Sequence, residues 1–518
     1  MPDVAVPHLA TRANTGPWRR SCGVLLALLL VLALPDLLSP PISPTIVRQT
    51  QTYAQTVHFL AAGFSPTGLT IDIDGPRPFH VVYEFPLYHA LAGSLFALFG
   101  PAFFWGKLVS LLAALAALNE FVQLVRRRWG DAVALRAGLL FASCPITLLL
   151  ASAFQPDALA LFLALLSVTR LLRWRDAPTP RRWLLFLVAL LAAGLAKFTL
   201  LVPLLPLLAV LAWTPGGRLH HPTLPQLATA ALVFLAPFTG WYLYRAQLMD
   251  PSYLASEDRQ FFLGDLGRFL HAGFYLKPAF ILGAMVCCGT GLGFLAAALR
   301  PLDRVGGLLL AGGALYFVLI PTAALQTYYA LPLVPIAAVL MAQGALALEV
   351  AAAPRFRGAV RMALAVAWFA GVAIAAPYTL RPDRVTLAAA AAARTVSRPD
   401  EFLLVMNMHD RGVGIGGFNP AIVTLAERRG WNVRFDSPAI AVLLPQIEAR
   451  RQAGAHWLVT TWFTPDLEPW FAPLLPAAFS RCPQVQGVPV DGRSLTTELA
   501  RRFPVVTRGK NFAVLRLD

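Results

Sequence analysis

The chain has 518 residues, 57% hydrophobic and only 14% charged, with a mean hydropathy of +0.62, whereas soluble domains carry roughly 25% charged residues. No single water-soluble core can hide this much apolar sequence, so lipid must act as solvent for most of it. The formal net charge of +16 does not point to a nucleic acid. Its basic residues fall in short clusters between apolar runs (Arg19-Arg20, Arg126 to Arg128, Arg170 to Arg182, Arg355 to Arg361), which is what the positive-inside bias produces.

Residues 1–21 read as a cytoplasmic N-terminus, and 22–38 as the first transmembrane helix, behind Trp18-Arg19-Arg20. The run lacks a small-x-small cleavage site before the prolines at 40, 41 and 44, so it is expected to be an anchor and not a cleaved signal. Residues 39–85 form a polar loop with an amphipathic helix around Tyr53-Ala54-Gln55 and then Asp72, Asp74, Pro76 and Pro78. From 86 to 378 apolar runs near 86–100, 104–125, 132–150, 157–173, 184–199, 200–213, 227–245, 279–299, 305–322, 325–345 and 359–377 make, with the first, about 12 spans of roughly 20 residues. A second loop, 245–277, carries Asp250, Glu257, Asp258 and Asp265. Simple alternation puts the end of the 104–125 run outside, although Arg126 to Arg128 favour the cytoplasm. Either one run is re-entrant or broken, or that cluster departs from the bias.

After Tyr378 the character changes. Residues 395–518 hold no spanning run, but Phe402 to Met406 and His456 to Thr461 read as strands and Pro420 to Arg429 as a helix. A small α/β soluble tail is expected, on the periplasmic side. Gly412-Val-Gly-Ile-Gly-Gly417, with Asp436 beyond it, satisfies the dinucleotide spacing. Asn407 to Arg411 and Phe418 to Pro420 separate it from strand and helix, so it reads as a glycine-rich turn. No internal repeat stands out.

Three places can carry chemistry. The first loop gathers Arg48, Gln51, Tyr53, Asp72, Asp74, Arg77 and Glu84; a turn carboxylate or a helix-capping role for Glu84 beside Pro86 is the bland alternative. Gln155-Pro156-Asp157 sets an ionisable group at a membrane boundary, a functional signal or a carboxylate interacting with a helix dipole. Lys197 is the only charge between Trp183 and Trp213, and can snorkel or hold a phosphate. Four of the five cysteines lie in apolar stretches, and the nine histidines show no paired ligand spacing. No metal or cofactor is expected.

An ordered series of stretches resembles bacterial relatives of the GT-C superfamily, the membrane glycosyltransferases that include protein O-mannosyltransferases and the lipid A aminoarabinose transferase. They are Arg48-Gln-Thr-Gln-Thr-Tyr-Ala54, Gly63-Phe64, Ile71-Asp-Ile-Asp-Gly75, Tyr83-Glu-Phe-Pro-Leu-Tyr88, Leu98-Phe-Gly100, Lys107-Leu-Val-Ser110, Phe154-Gln-Pro-Asp157, Gly194-Leu-Ala-Lys197, Thr327-Tyr-Tyr-Ala-Leu-Pro332, and Asn419-Pro-Ala with Arg429-Gly-Trp431. The resemblance implies a multi-pass protein of the bacterial inner membrane that takes a sugar from a polyprenyl-phosphate donor and transfers it with inversion to an envelope acceptor. A carboxylate of the first periplasmic loop would be general base, and a phosphate leaving group needs no protonation. The partners implied are the lipid-linked donor, the acceptor and the bilayer, with no nucleic acid.

The sequence departs from the pattern where relatives carry an acid early in the first loop, for Gln51 stands there, and at Gln326, where relatives often have histidine. Asp72 or Asp74 is therefore the preferred base, ahead of Glu84, with Asp157 a second active-site carboxylate. Arg48, Gln51, Tyr53, Arg77, Glu84, Lys197, Tyr328 and Tyr329 are the expected substrate contacts. A transporter or flippase of lipid-linked glycans, or an inactive GT-C-like scaffold, is the alternative.

Overall fold

The computed structural model describes residues 15–43, 45–213, 223–253, 275, 278–298, 303–320, 327–408, 418–433, 440–462, 484–485, 488–489 and 492–518. The glycine run 412–417, Asp436, Gln326, Glu257, Asp258 and Asp265 lie outside the described residues.

Helix α1 (Thr15–Leu37) is followed by α2 (Ile46–Ala61), α3 (Leu87–Phe99) and α4 (Phe103–Trp129). Next come α5 (Asp131–Ser143), α6 (Pro145–Ala151), α7 (Asp157–Asp176), α8 (Pro180–Lys197) and α9 (Leu205–Trp213). Then α10 (Leu224–Leu248), α11 (Pro278–Val286) and α12 (Gly291–Ala298) lead to α13 (Arg304–Leu319), α14 (Val334–Ala351) and α15 (Arg357–Thr379). Among the described residues six helices are long and apolar enough to cross a membrane, or eight if the bent pairs α5–α6 (62°) and α11–α12 (102°) each count as one. Shorter apolar helices, including α3 and α13, supply further runs. The chain is a multi-pass membrane protein, and among the described residues length and composition support fewer spans than the expected 12 or so.

One run accounts for part of the difference. Helix α3 has 13 residues, about 20 Å at 1.5 Å per residue, short of a hydrocarbon core of about 30 Å. Both of its ends lie beside α2: His89, near its start, meets Thr56 of α2 at 2.9 Å, and Phe96, near its end, meets the Tyr53 ring of α2 at 5.6 Å. Because α3 stays on that side, α4 returns to the side where α1 begins. There Arg126 lies over the Trp18 ring at 4.2 Å.

That N-terminal face collects the basic clusters into ion pairs. Arg126 meets Asp131 at 2.7 Å, Arg128 meets Asp303 at 2.6 Å, and Arg127 pairs with Asp176. Glu349, at the end of α14, takes both Arg136 and Arg361. At the opposite end of α4, the fully buried Lys107 donates from Nζ to the carbonyls of Asp36 (2.8 Å), Ser39 (2.7 Å) and Pro40 (3.2 Å). Asp36 belongs to the last turn of α1, whose carbonyls lack intrahelical partners, and Ser39 and Pro40 lie just beyond it.

Apart from the apolar helices, the described residues form a seven-stranded sheet. Its strands are β1 (Thr70–Asp74), β2 (Arg77–His80), β3 (Phe402–Met408), β4 (Gly430–Asn432), β5 (Ala455–Trp462), β6 (Val505–Arg508) and β7 (Phe512–Arg516), in the order β6-β7-β5-β3-β4-β1-β2. The β5, β3 and β4 strands are parallel neighbours, and every other pairing is antiparallel. The first-loop hairpin β1–β2 is thus an edge of the tail's sheet. Asp74 pairs with Trp431, and Gly75 donates its N–H to the Gly430 carbonyl at 2.7 Å. Gly75 has φ +62 and sits so close to Trp431 that a Cβ would overlap the indole, a position for glycine alone. The helix expected over 420–429 is only Ala421–Leu425. Glu427 turns to φ +56, and Arg428 folds inward to bond Ser397, Ala426, Glu427 and Arg394.

Candidate active site

The polar first turn of α2 is buried between the tail and the transmembrane helices. Arg48 Nη2 lies 2.5 Å from Glu84 Oε2, with side chains only 8% and 10% exposed, and its guanidinium stacks 4.0 Å from the Tyr83 ring. Glu84 sits where the chain leaves β2 for α3. Its position is tied down on either side, by Arg245 bonding the Val82 carbonyl and by Phe85 N–H donating to Leu195 O at 2.9 Å. That last bond brings the end of α8, and hence Lys197, alongside.

Pro156 opens α7 and sets Asp157 in its first turn, as Pro at a helix start favours. Lys197 Nζ donates to Asp157 Oδ1 at 2.8 Å, both side chains being almost fully buried. The ammonium also faces Tyr328 at 4.9 Å and Tyr329 at 4.8 Å, rings that stack at 4.7 Å. Burial alone would lower the Arg48 pKa. The charge of Glu84, followed by Tyr83, Tyr328 and Asp157, more than offsets this and raises it. Arg48 is therefore in the field of both carboxylates, and two cations and two carboxylates share one buried place.

Six of the expected residues thus come together: Arg48, Glu84, Asp157, Lys197, Tyr328 and Tyr329. Gln51 borders them, its Nε2 donating to the Phe418 carbonyl at 3.0 Å while Tyr83 reaches its Oε1 at 3.4 Å. Tyr53 lies apart in an aromatic cluster with Phe96, Phe103 and Phe154. Asp72 is elsewhere. It meets His58 Nε2 at 2.9 Å and Arg429 Nε at 3.4 Å, and His58 is ten positions beyond Arg48, about 15 Å along α2. Asp74 and Arg77 face each other across the hairpin end beside Trp431. Among the described residues, no hydrogen bond or ion pair joins Asp72, Asp74 or Arg77 to the buried group. The sequence did not single out Tyr83 as the platform for the Arg48 guanidinium, although it stands next to Glu84 in the Tyr83 to Tyr88 stretch. Among the described residues no group of three or more His, Cys, Asp or Glu could hold a metal ion.

The sequence profile described as dolichyl-phosphate-mannose-protein mannosyltransferase matches residues 80–241, which hold Glu84, Asp157 and Lys197. The structure is similar to ArnT from Cupriavidus metallidurans bound to undecaprenyl phosphate, with TM-score 0.57, 14% identity and coverage of 97% of this chain and 98% of that one. The chain has the GT-C glycosyltransferase fold. The GT-C likeness extends to ArnT in the apo state (TM-score 0.54, 13% identity, coverage 97% and 98%). It includes the archaeal oligosaccharyltransferase AglB from Archaeoglobus fulgidus, in complex with an inhibitory peptide and a dolichol-phosphate (TM-score 0.52, 12% identity, 87% of this chain and 70% of that one). No curated protein matches by sequence.

Proposed function

We propose that this chain is an inverting glycosyltransferase that moves a sugar from a polyprenyl-phosphate donor to an envelope acceptor, at the bacterial inner membrane. The reaction would take place on the periplasmic face, which carries the tail. The observation that carries the reading is the buried meeting of Arg48–Glu84 with Asp157–Lys197. It lies on the membrane face opposite the arginine clusters, and the positive-inside bias makes the arginine face cytoplasmic.

In this reading Glu84, not Asp72 or Asp74, is the base. Arg48 holds Oε2, and among the described residues no hydrogen bond or ion pair engages Oε1. Glu84 takes the proton of the acceptor hydroxyl as its oxygen attacks the anomeric carbon. The bond from that carbon to the phosphate oxygen breaks on the opposite side, and its electron pair stays on the phosphate. Lys197 and Arg48 stabilise the charge that develops there, which is where fixed cations lower a barrier most. The ArnT and AglB structures that resemble this one hold undecaprenyl phosphate and dolichol-phosphate, ligands of the class this site would take. Gln51 would brace the tail against Tyr83, and Asp72, Asp74 and Arg77 would dock the hairpin onto the tail.

Transport of a lipid-linked glycan has one observation in its favour, two broken helices that touch at their breaks. Cys144 Sγ, between α5 and α6, contacts the Met285 and Val286 carbonyls at the break of α11–α12. Transporters use paired broken helices to bind substrate. Here the paired charges gather at the tail-bearing face instead, which favours the transferase.

The test is mass spectrometry of envelope glycans and lipids in a deletion strain complemented with wild type, Glu84→Gln or the Asp72→Asn/Asp74→Asn double variant. The expected result is a glycan species that wild type and the double variant restore and Glu84→Gln does not. Restoration by Glu84→Gln would remove Glu84 as base.

A further inference from the structure

Beside the Arg48–Glu84 and Asp157–Lys197 pairs lies a second set of groups that neither pair uses. Gln155 is fully buried, and both side-chain atoms, Nε2 and Oε1, lack a hydrogen-bond partner among the described residues. Two residues on, Asp157 is 1% exposed and its Oδ2 is likewise unpartnered, Lys197 holding only Oδ1. The backbone of Gln155 is already committed: its N–H donates to Ala153 O at 2.9 Å, and its carbonyl accepts from Ser110 Oγ at 3.1 Å. Phe154 N–H donates to Gln49 Oε1 at 3.1 Å, fixing this turn against the first turn of α2. There Arg48 Nη1 is also buried and unpartnered.

Buried polar groups without partners are rare in native proteins, so these atoms, on one turn and the helix start packed against it, call for an occupant. The chemistry of the open positions says which kind. A phosphate offers acceptors only, so it can satisfy the N–H donors of Arg48 Nη1 but neither Asp157 Oδ2 nor Gln155 Oε1, which are acceptors themselves. A sugar hydroxyl both donates and accepts. Adjacent hydroxyls can donate to Asp157 Oδ2 and Gln155 Oε1 and accept from Gln155 Nε2. The charges of the two pairs cancel, so the position favours a neutral sugar. A carboxylated sugar would set an anion against Asp157.

Resting on the transferase reading above, we propose that Gln155, together with Asp157 Oδ2, recognises the hydroxyls of a neutral hexose on the polyprenyl-phosphate donor. Arg48 and Lys197 hold its phosphate. Gln155 is thus a specificity-determining residue, reading the sugar and not the lipid phosphate.

The test measures binding to the full chain in lipid nanodiscs. The probes are bare undecaprenyl phosphate and the undecaprenyl-phosphate derivatives of glucose, mannose and galactose, for wild type and Gln155→Leu. Wild type is expected to bind one hexosyl lipid more tightly than the bare lipid phosphate. Gln155→Leu is expected to weaken that hexosyl lipid by about tenfold, the scale of losing a buried hydrogen bond, and to leave bare undecaprenyl phosphate within about twofold. The unchanged bare-lipid affinity also reports an intact fold. An equal loss for both probes would place Gln155 against the phosphate or in the fold. No loss for either would mean that water alone satisfies its amide, and tight binding of the bare lipid with no preference for any hexosyl form would leave the sugar unread. Each of these three overturns the inference while the transferase reading stands. Failure of wild type to bind any of the four lipids overturns the transferase reading, and this inference with it.

Discussion

Glu84 and Asp72 are both carboxylates of the first loop, and each is paired with an arginine. Glu84 is buried with Arg48, inside a group that includes a second carboxylate–cation pair. Asp72 is shared between His58 and an Arg429 that is 46% exposed. The first arrangement costs desolvation of charge and recovers it only while every partner is present. The second is a solvated contact of the kind that contributes little. Acidic composition marks a loop as interesting, but burial and mutual pairing separate the acid that joins a buried group of charges from the one held in a partly exposed contact.

Substitutions can break that contrast. The largest effect expected is from Arg48→Met, which strands the Glu84 carboxylate: stability should fall by about 3–5 kcal/mol, as when one partner of a buried pair is removed. Thermal unfolding in detergent would measure it. The Arg48→Met/Glu84→Gln double variant should recover part of the loss, and strictly additive losses would mean that the pair is not coupled. Next is Gly75→Val, which meets the Trp431 ring and an unfavourable φ. A cost of about 2–3 kcal/mol is expected, read as faster proteolysis of the tail with the transmembrane part unaffected.

Gln51→Ala should be milder, costing about 1–2 kcal/mol for the lost Phe418 and Tyr83 bonds. Loosened tail docking, followed by hydrogen exchange over residues 418–433, would reveal it, and unchanged exchange would show that Gln51 does not brace the tail. Smallest is the Asp72–Arg429 coupling, expected at ~0.5 kcal/mol in a double-mutant cycle and reduced by salt. A coupling as large as that of Arg48 with Glu84 would erase the difference between the two carboxylates.

Several short-range features were legible in the sequence. The amphipathic helix around Tyr53, the Pro156–Asp157 helix start and the strands at 402 and 456 follow from local spacing and propensity, and each is present. The span count was less legible because hydropathy reports only that a segment avoids water. It does not distinguish a 13-residue helix resting beside α2 from one that crosses. The conflict at Arg126 to Arg128 was the trace this left in the sequence. The partner of Arg48 was least legible. Asp72, Asp74 and Glu84 are similar acids in one loop, and nothing local tells which one meets Arg48.

The sequence by itself determined the solvent: with so few charges in so much apolar chain, most of it must lie in lipid, and the arginine clusters must gather on one face. Its motifs also carried the GT-C likeness. Only the tertiary structure decided the partners. Arg48 finds Glu84 across 36 residues, Lys197 finds Asp157 across 40, and the first-loop hairpin joins a sheet whose other strands begin more than 300 residues later. Composition sums over residues and is indifferent to the path of the chain, whereas a buried ion pair or a strand register exists only where that path brings two distant segments together.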